Sequence, residues 1–120
     1  MLKKFVYHDA ERRGTIDRVY YTHTDGEGKA YEKYANVYLP CGYDPADKEK
    51  KYDILYLMHG GGGNPDAWLD SCWFKNMLDC SFQDQEAEPF IVVFPGYYKA
   101  GAGVHDLSHM DSEQIGRAHV

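Results

Sequence analysis

The segment Asp53 to Asn64, DILYLMHGGGGN, joins a short apolar run to a histidine and four consecutive glycines. The run Ile54 to Met58 has the length and composition of a β-strand covered on both faces, because a half-buried strand alternates with polar residues. Glycines lack a Cβ atom, so their backbone can take positive φ angles and their N–H groups can approach a ligand closely. We therefore expect a buried strand that ends in a ligand-binding glycine loop.

A β-hairpin is predicted upstream of this segment. Thr15 to Thr22 is rich in β-branched and aromatic residues, and Asp25 to Gly28 (DGEG) is a strong turn sequence. Lys33 to Leu39 alternates between two sets of side chains, which predicts one face on the core and the other near solvent. Pro40 and Gly42 end this strand, and a polar surface connection leads to the apolar run.

A helix is predicted directly after the glycines. Asn64 can cap it, Pro65 suits its first position, and Asp66 favours the positive end of the helix dipole. An apolar stripe for packing on the sheet recurs at three- and four-residue steps and comprises Leu69, Cys72, Trp73, Met77 and Cys80. A second apolar run, Phe90 to Phe94, completes a strand–helix–strand unit, which predicts that its two strands pair in parallel.

Two tyrosines, Tyr97 and Tyr98, stand at the exit of the second apolar run. In an open parallel sheet, ligands bind at the carboxyl ends of the strands. Because the glycine loop follows the other strand of the pair, we expect the loop and these tyrosines to line the same binding site.

Four segments together resemble the first half of an α/β-hydrolase of the esterase D-like group, which contains feruloyl esterases and acetyl xylan esterases. They are Ala35 to Tyr43 (ANVYLPCGY), Lys51 to Asn64 (KYDILYLMHGGGGN), Trp68 and Pro89 to Pro95 (PFIVVFP). The resemblance covers residues 14 to 98 approximately. It implies an α/β fold: the N-terminal portion of an α/β-hydrolase sheet, truncated, in which an antiparallel hairpin leads into a parallel strand–helix–strand unit.

The resemblance also implies an oxyanion hole at the glycines. In such enzymes an HGGG-type segment supplies one N–H donor, and the residue after the nucleophile supplies the other. By position, Gly61 is the first choice for this amide and Gly62 the second. The predicted substrate-binding residues are His59, Gly60, Trp68, Tyr97 and Tyr98. In this interpretation His59 holds the loop through ring hydrogen bonds rather than acting as the catalytic base, and Trp68 supports the loop.

The catalytic triad of such a hydrolase is not found in the sequence. A serine nucleophile requires a strand-to-helix elbow with the pattern G-x-S-x-G, followed by an acid and then a histidine. Ser71, Ser81, Ser108 and Ser112 have no flanking elbow glycines. We therefore expect the nucleophile, acid and base to lie beyond residue 120 of the intact protein, and this chain to be inactive by itself.

Composition excludes several other classes of protein. The formal net charge of the 120 residues is −6, which argues against a nucleic-acid partner. No apolar run is long enough to span a membrane, and no apolar segment of a secretory signal is visible near the start. The expected location is cytoplasmic as written, with secretion open for the intact protein. The expected partner is a small-molecule or polysaccharide ester, and the oligomeric state is not specified.

Cysteine usage indicates neither a metal site nor a disulfide framework. Cys41, Cys72 and Cys80 are odd in number and lack the spacing of metal ligands. No cofactor is expected. Residues 1–114 are predicted to form a partial esterase domain, and residues 115–120 (IGRAHV) to be a non-native tail, because they follow no periodicity and do not resemble what the family carries there.

Several alternatives remain for these features. Nucleotide binding is disfavoured, because Asn64 and Pro65 stand where a phosphate loop needs Lys and Ser or Thr. The glycines could instead form a purely structural turn. A polar cluster with metal-ligand side chains comprises His105, Asp106, His109 and Asp111. Finally, the 11 tyrosines are compatible with a non-catalytic, β-rich glycan-binding module.

Overall fold

The structure, a computed structural model, describes residues 8 to 98. The elements in this range are β1 (Thr15–Thr24), β2 (Ala30–Leu39), β3 (Ile54–Tyr56), α1 (Ala67–Ser71), α2 (Phe74–Gln83) and β4 (Ile91–Phe94). The strands form one mixed sheet in the order β1-β2-β4-β3. β2 pairs antiparallel with β1 and β4, whereas β3 and β4 are parallel. None of the helices in this range is long and apolar enough to cross a membrane.

The predicted hairpin is confirmed, with strands somewhat longer than expected. Its register runs from Thr15 opposite Leu39 to Thr24 opposite Ala30. In the turn, the carboxylate of Asp25 accepts hydrogen bonds from the N–H groups of Glu27 and Lys29, each at 2.9 Å. Gly28 has a φ angle of +85°, which a residue with a side chain rarely adopts. The turn sequence therefore determines both the reversal and the register of the two strands.

The parallel pairing of the two apolar runs is also confirmed, with Ile54 opposite Ile91 and Tyr56 opposite Val93. However, the expectation that the first of these strands is buried on both faces is wrong. Ile54 is 51% exposed and Leu55 is 43% exposed. The reason is position: β3 is the edge strand of the sheet formed by residues 8–98, so an apolar run does not by itself show how many neighbours a strand has.

The single helix predicted after the glycines is replaced by two shorter helices. The N-cap residue of α1 is Asp66 rather than Asn64, whose side-chain oxygen accepts a hydrogen bond from the Asp66 N–H at 2.8 Å. Trp73 separates the helices with a φ angle of +50°, in the left-handed region. A single periodic stripe could not reveal this break, because Trp73 itself fits the predicted period.

The predicted apolar stripe is confirmed at Leu69, which packs against the core, but is wrong in phase after the break. Trp73 is 70% exposed and Met77 is 52% exposed, so neither packs in the core. The residues of α2 that face the sheet are one position further along: Leu78 is buried, with Phe74 and Phe82 packed against the core. These three residues are spaced four apart and form an equally regular stripe once the helix restarts after the break.

The core of the described chain is small. Its buried cluster consists of Tyr38, Leu78, Val92 and Phe94. A buried carboxylate, that of Asp79, accepts hydrogen bonds from the Tyr38 hydroxyl at 2.6 Å and from the Gly14 N–H at 2.9 Å. Burial and the hydrogen bond to Asp79 raise the pKa of the Tyr38 hydroxyl above its usual range. This polar contact joins β2, α2 and the chain before β1.

Part of the sequence lies outside the described residues. The His105 to Asp111 cluster, an alternative metal site, and the predicted tail of residues 115–120 belong to this part, so the first stays an untested alternative and the second stays a prediction. Within residues 8 to 98, no cluster of three or more potential ligand side chains could hold a metal ion. The cysteines at positions 41, 72 and 80 are free.

Candidate active site

The glycine corner, Gly60 to Gly63, turns the chain from the end of β3 towards α1. The Gly63 N–H donates to the Gly60 carbonyl oxygen at 3.0 Å, which closes a tight turn. Gly62 has a φ angle of +77°, so a side chain there would be strained. A Cβ at Gly63 would lie 3.1 Å from both the Gly60 oxygen and the His59 Nδ1. The φ angle therefore favours glycine at 62, and at 63 any side chain would require the Gly60 oxygen and the His59 ring to shift slightly.

The first two glycines have no such local requirement. Among residues 8–98, a Cβ at Gly60 would meet no atom within 4 Å, and one at Gly61 would meet only the Tyr98 hydroxyl at 4.0 Å. Neither residue has a positive φ angle. The space beside Gly60 and Gly61 is thus open. Glycine at these positions keeps the backbone accessible to a ligand, as the predicted binding role requires.

His59 is fixed at the start of the glycine corner. It is only 5% exposed, and its Nδ1 lies 2.8 Å from the Gly60 carbonyl oxygen. Its ring stacks on Tyr97 with centroids 4.2 Å apart. The other ring nitrogen, Nε2, is buried and has no hydrogen-bond partner within residues 8–98. The ring contacts agree with the expectation that His59 holds the loop.

The two tyrosines after β4 do meet the glycine corner. The Tyr98 hydroxyl accepts a hydrogen bond from the Gly62 N–H at 2.9 Å, and Tyr97 covers His59. Burial and the neighbouring Tyr98 raise the pKa of the Tyr97 hydroxyl. The residues that follow β3 and β4 thus lie together at the carboxyl end of these strands, as the sequence predicted.

The amides of Gly61 and Gly62 are both candidates for the oxyanion hole. They differ in whether the N–H group already makes a hydrogen bond within the protein. The Gly62 N–H is already engaged by Tyr98, so a substrate oxygen could reach it only if the tyrosine hydroxyl moved. The Gly61 N–H makes no hydrogen bond to any residue between 8 and 98. Geometry therefore favours Gly61, the first choice from sequence.

Trp68 contacts the chain just after β3 and does not line the cavity beside the glycines. Its Nε1 donates to the Met58 carbonyl oxygen at 2.9 Å, and its ring lies 5.8 Å from that of Phe74. This contact joins α1 to the residue that precedes His59. The predicted supporting role of Trp68 agrees with this geometry.

A cavity of about 180 Å³ lies beside the glycine corner. Its lining residues are Glu32, Lys33, Tyr34, His59, Gly63, Asn64, Pro65, Gly96 and Tyr98. Of the predicted site residues, His59 and Tyr98 are in this lining, whereas Gly60, Gly61, Gly62, Trp68 and Tyr97 are not. The wall contributed by β2 was not anticipated, because the sequence does not show that β2 adjoins β4.

The residues that sequence reasoning missed are polar side chains of β1 and β2. Lys33 is only 7% exposed, and its Nζ donates to the Gly96 carbonyl oxygen at 3.0 Å. Asn36 is only 2% exposed and donates to the Pro65 carbonyl oxygen at 3.0 Å. Polar residues within an otherwise apolar or aromatic strand were the available signal, since buried polar groups require partners.

Asp66 forms the centre of a second polar cluster, with Arg18, Tyr34 and Asn36. Burial acts to raise the pKa of its carboxyl group, but hydrogen bonds from Asn36 and Tyr34 and the positive charge of Arg18 outweigh this and lower it. Burial, followed by the hydrogen bond to Asp66, raises the pKa of Tyr34 to about 12. The cluster therefore contains an ionised carboxylate and a neutral phenol at neutral pH.

The described serines do not supply a nucleophile. The Ser71 hydroxyl donates to the Ala67 carbonyl oxygen within α1, and Ser81 lies inside α2. Neither residue follows a strand, as a nucleophile elbow requires. Residues 8–98 thus present an amide donor and a cavity without a triad.

Comparison with known proteins identifies relatives of part of this chain. No protein-family model matches it. An endo-1,4-beta-xylanase Y from Acetivibrio thermocellus is 44% identical over 85 residues, which are 70% of this chain and 7% of that protein. An endo-1,4-beta-xylanase/feruloyl esterase from Xylanibacter ruminicola is 34% identical over 91 residues, which are 74% of this chain and 12% of that protein.

Solved structures show the same similarity. A feruloyl esterase module from Clostridium thermocellum, in complex with sinapinate, matches with a TM-score of 0.62 and 40% identity. The match covers 79% of this chain and 31% of that one. A ferulic acid esterase of the CE1 class from Anaeromyces mucronatus, in complex with ferulic acid, matches with a TM-score of 0.61 and 26% identity, over 89% of this chain and 36% of the other.

These matches confirm the predicted fold class. The mixed sheet and its helices correspond to part of the α/β-hydrolase fold of the feruloyl esterases. The chain spans about a third of the length of those solved chains and a smaller share of the curated relatives.

Proposed function

We propose that this chain, which carries part of the α/β-hydrolase fold of feruloyl esterases, belongs to a carboxylic-ester hydrolase that removes feruloyl or acetyl groups from plant xylan. The names of the similar proteins support the feruloyl group in particular. Plant xylan lies outside the cell that degrades it, so the proposal includes secretion of the intact protein rather than a cytoplasmic location.

The observation that carries this proposal is the open Gly61 amide. Within residues 8–98 its N–H has no partner, and a Cβ placed on it would approach only the Tyr98 hydroxyl, at 4.0 Å. It lies where the chain leaves a parallel strand, at the edge of the sheet where ligands of α/β proteins bind. A fixed backbone donor at this place suits an acyl oxygen that becomes negatively charged.

In ester hydrolysis, a serine oxygen attacks the acyl carbon and the carbonyl oxygen takes up the negative charge. A donor already fixed near that oxygen stabilises the charge without reorganisation, and removing one such donor costs about 10²- to 10³-fold in kcat. The glycine corner provides one donor. The second donor and the triad come, in this proposal, from other parts of the intact protein.

The size of the cavity beside the glycine corner supports a substrate of which only one small acyl or sugar group is bound inside it. The rest of the polymer would lie outside the cavity. Its volume of about 180 Å³ is below the roughly 300–1,000 Å³ typical of pockets that enclose a whole drug-sized ligand. Tyr34, Pro65 and Tyr98 give it apolar surfaces that suit a planar ring.

The test is hydrolysis of methyl ferulate and of feruloylated xylan by the complete protein that contains this chain. We expect release of ferulate by the complete protein and none by residues 1–120 alone, because residues 8–98 provide no nucleophile. p-Nitrophenyl acetate serves as the activated control substrate. Absence of ferulate and acetate release from the folded complete protein would exclude the proposed function.

A non-catalytic glycan-binding module is the second candidate, and one observation favours it. Tyr20 is 64% exposed, and its ring lies 6.3 Å from that of Tyr34, which lines the cavity. Exposed aromatic faces of this kind can pack against sugar rings. Retention on insoluble xylan that is lost on Tyr20→Ala, in a complete protein without esterase activity, would favour this candidate.

A further inference from the structure

We propose that Asp66 is a positioning residue, whose carboxylate fastens the C-terminal end of the glycine corner to the sheet and thereby sets the direction of the Gly61 N–H. The inference rests on the proposed function, because it concerns the same amide. Asp66 follows Asn64 and Pro65 directly after the glycine corner, at the start of α1.

Three side chains from the hairpin donate to the Asp66 carboxylate. Arg18 Nη2 and Asn36 Nδ2 each lie 2.7 Å from Oδ1, and the Tyr34 hydroxyl lies 2.8 Å from Oδ2. The Arg18 guanidinium also sits 4.2 Å from the centre of the Tyr34 ring. Both carboxylate oxygens are therefore held by residues of β1 and β2.

The helix that Asp66 begins does not explain this arrangement. The side chain of an N-cap aspartate normally accepts a hydrogen bond from the first turn, but that of Asp66 makes no such bond. α1 has only five residues, and none of them is buried. Trp68 and Leu69 give α1 contacts of its own with the Met58 carbonyl oxygen and with the core, and the contacts of Asp66 with the hairpin connect the start of the helix to the sheet.

Asn36 and Pro65 extend this connection to the strand exit. The Asn36 amide donates to the Pro65 carbonyl oxygen as well as to Asp66. Pro65 is buried, and its Cγ would lie 3.1 Å from a Cβ placed on Gly96. The glycine corner is therefore held between β2 and the residue that leads from β4 towards Tyr98.

Asp66→Asn in the complete protein tests this role. Asparagine has nearly the same shape, but its Nδ2 is a hydrogen-bond donor. It would therefore face Arg18, Tyr34 or Asn36, each of which donates to the Asp66 carboxylate in the wild type. We expect kcat for methyl ferulate to fall between about tenfold and 10²-fold, because a misplacement of roughly 1 Å in a catalytic group can cost about 10²-fold. KM should change by no more than about twofold, since the amide acts mainly in the transition state.

Asp70→Asn is the matched control. It makes the same change of charge one turn further along the chain, and within residues 8–98 the Asp70 side chain makes no hydrogen bond or ion pair, reaching Tyr34 of the cluster only through its charge. Hydrogen–deuterium exchange of the peptide spanning residues 59–66, read by mass spectrometry, measures how well the amides of the glycine corner are protected in the absence of substrate. We expect faster exchange in Asp66→Asn than in Asp70→Asn.

The two readouts separate this inference from the proposed function. Equal exchange in the two variants, or faster exchange with kcat unchanged, would overturn the positioning role, and so would an increase in KM alone. If the wild-type protein releases no ferulate, the proposed function fails and the exchange comparison decides the positioning role. If Asp66→Asn does not fold, Tyr34→Phe removes one donor and should show a smaller loss of kcat with the same faster exchange.

Discussion

At the scale of single residues, the glycine corner divides into positions that the fold requires and positions that it leaves open. Gly62 has a positive φ angle, and a Cβ on Gly63 would require its neighbours to shift by a few tenths of an ångström. Gly60 and Gly61 are free of both restrictions. The sequence identified the four glycines but could not divide them, because the division depends on the φ angle of Gly62 and on the distance from Gly63 to the Gly60 oxygen and the His59 side chain.

The buried hydrogen bond between Tyr38 and Asp79 gives a prediction at this scale. Tyr38→Phe would remove one of the donors to a carboxylate that is only 3% exposed. We expect a loss of about 1–3 kcal/mol in the free energy of unfolding, the cost of depriving a buried polar group of a partner. Urea unfolding of the complete protein followed by circular dichroism measures it.

Tyr43→Phe is the control for this substitution, because Tyr43 is 36% exposed and its side chain packs beside Tyr52. Its unfolding midpoint should match that of the wild type. Equal midpoints for Tyr38→Phe and Tyr43→Phe would show that the Tyr38 hydroxyl does not stabilise the fold.

At the scale of elements, the sequence predicted which segments are strands or helices, and how the strands pair, better than it predicted where each element begins and ends. The turn sequence after β1 and the two apolar runs were sufficient for the hairpin and for the parallel pair. The break at Trp73 was missed because left-handed geometry in a tryptophan has no sequence signature. The exposure of β3 was missed because it depends on strand order rather than composition.

The connection between the hairpin and α1 predicts a dependence of stability on pH. The pKa of Asp66 in the folded protein lies below its value in the unfolded chain, which is about 3.9 for an unperturbed aspartate. The stabilisation from this cluster is therefore fully present above about pH 4 and is lost as the pH falls through the lower, folded-state pKa. The difference in unfolding free energy between wild type and Asp66→Asn should shrink over this acid range.

Urea unfolding of both proteins between neutral and strongly acidic pH measures this difference. Asp70→Asn should differ from wild type by a small amount that depends little on pH. A constant difference between wild type and Asp66→Asn across the range would mean that ionised Asp66 does not contribute to the stability of the fold.

At the scale of the whole molecule, the described chain combines a small core with exposed apolar surface. Four side chains form the buried cluster, while Ile54, Leu55, Trp73 and Met77 are each more than two-fifths exposed. An apolar edge strand is a template for pairing with another strand. The resemblance of the sequence to feruloyl esterases indicated the fold, and the structural matches, which extend over about a third of the solved chains, agree with it.

The exposed edge predicts self-association of residues 1–120 when they are produced alone. Leu55→Lys places a charge on the central residue of β3 and should increase the monomeric fraction, because charged edge strands resist pairing. Size-exclusion chromatography with light scattering measures the change. Lys50→Leu, which removes a charge from an exposed residue before β3, is a contrast that should not reduce association. An unchanged monomeric fraction in Leu55→Lys would exclude this edge as the contact.

The most direct test of the central claim replaces Gly61 of the complete protein with glycolic acid, which removes the N–H without adding an atom. We expect kcat for methyl ferulate to fall about 10²- to 10³-fold with little change in KM, as for the loss of one oxyanion donor. The same replacement at Gly63 removes a donor that only closes the turn to the Gly60 oxygen, and it should cost much less. A kcat for the Gly61 variant equal to that of the Gly63 variant would contradict the assignment of the oxyanion-binding amide to Gly61.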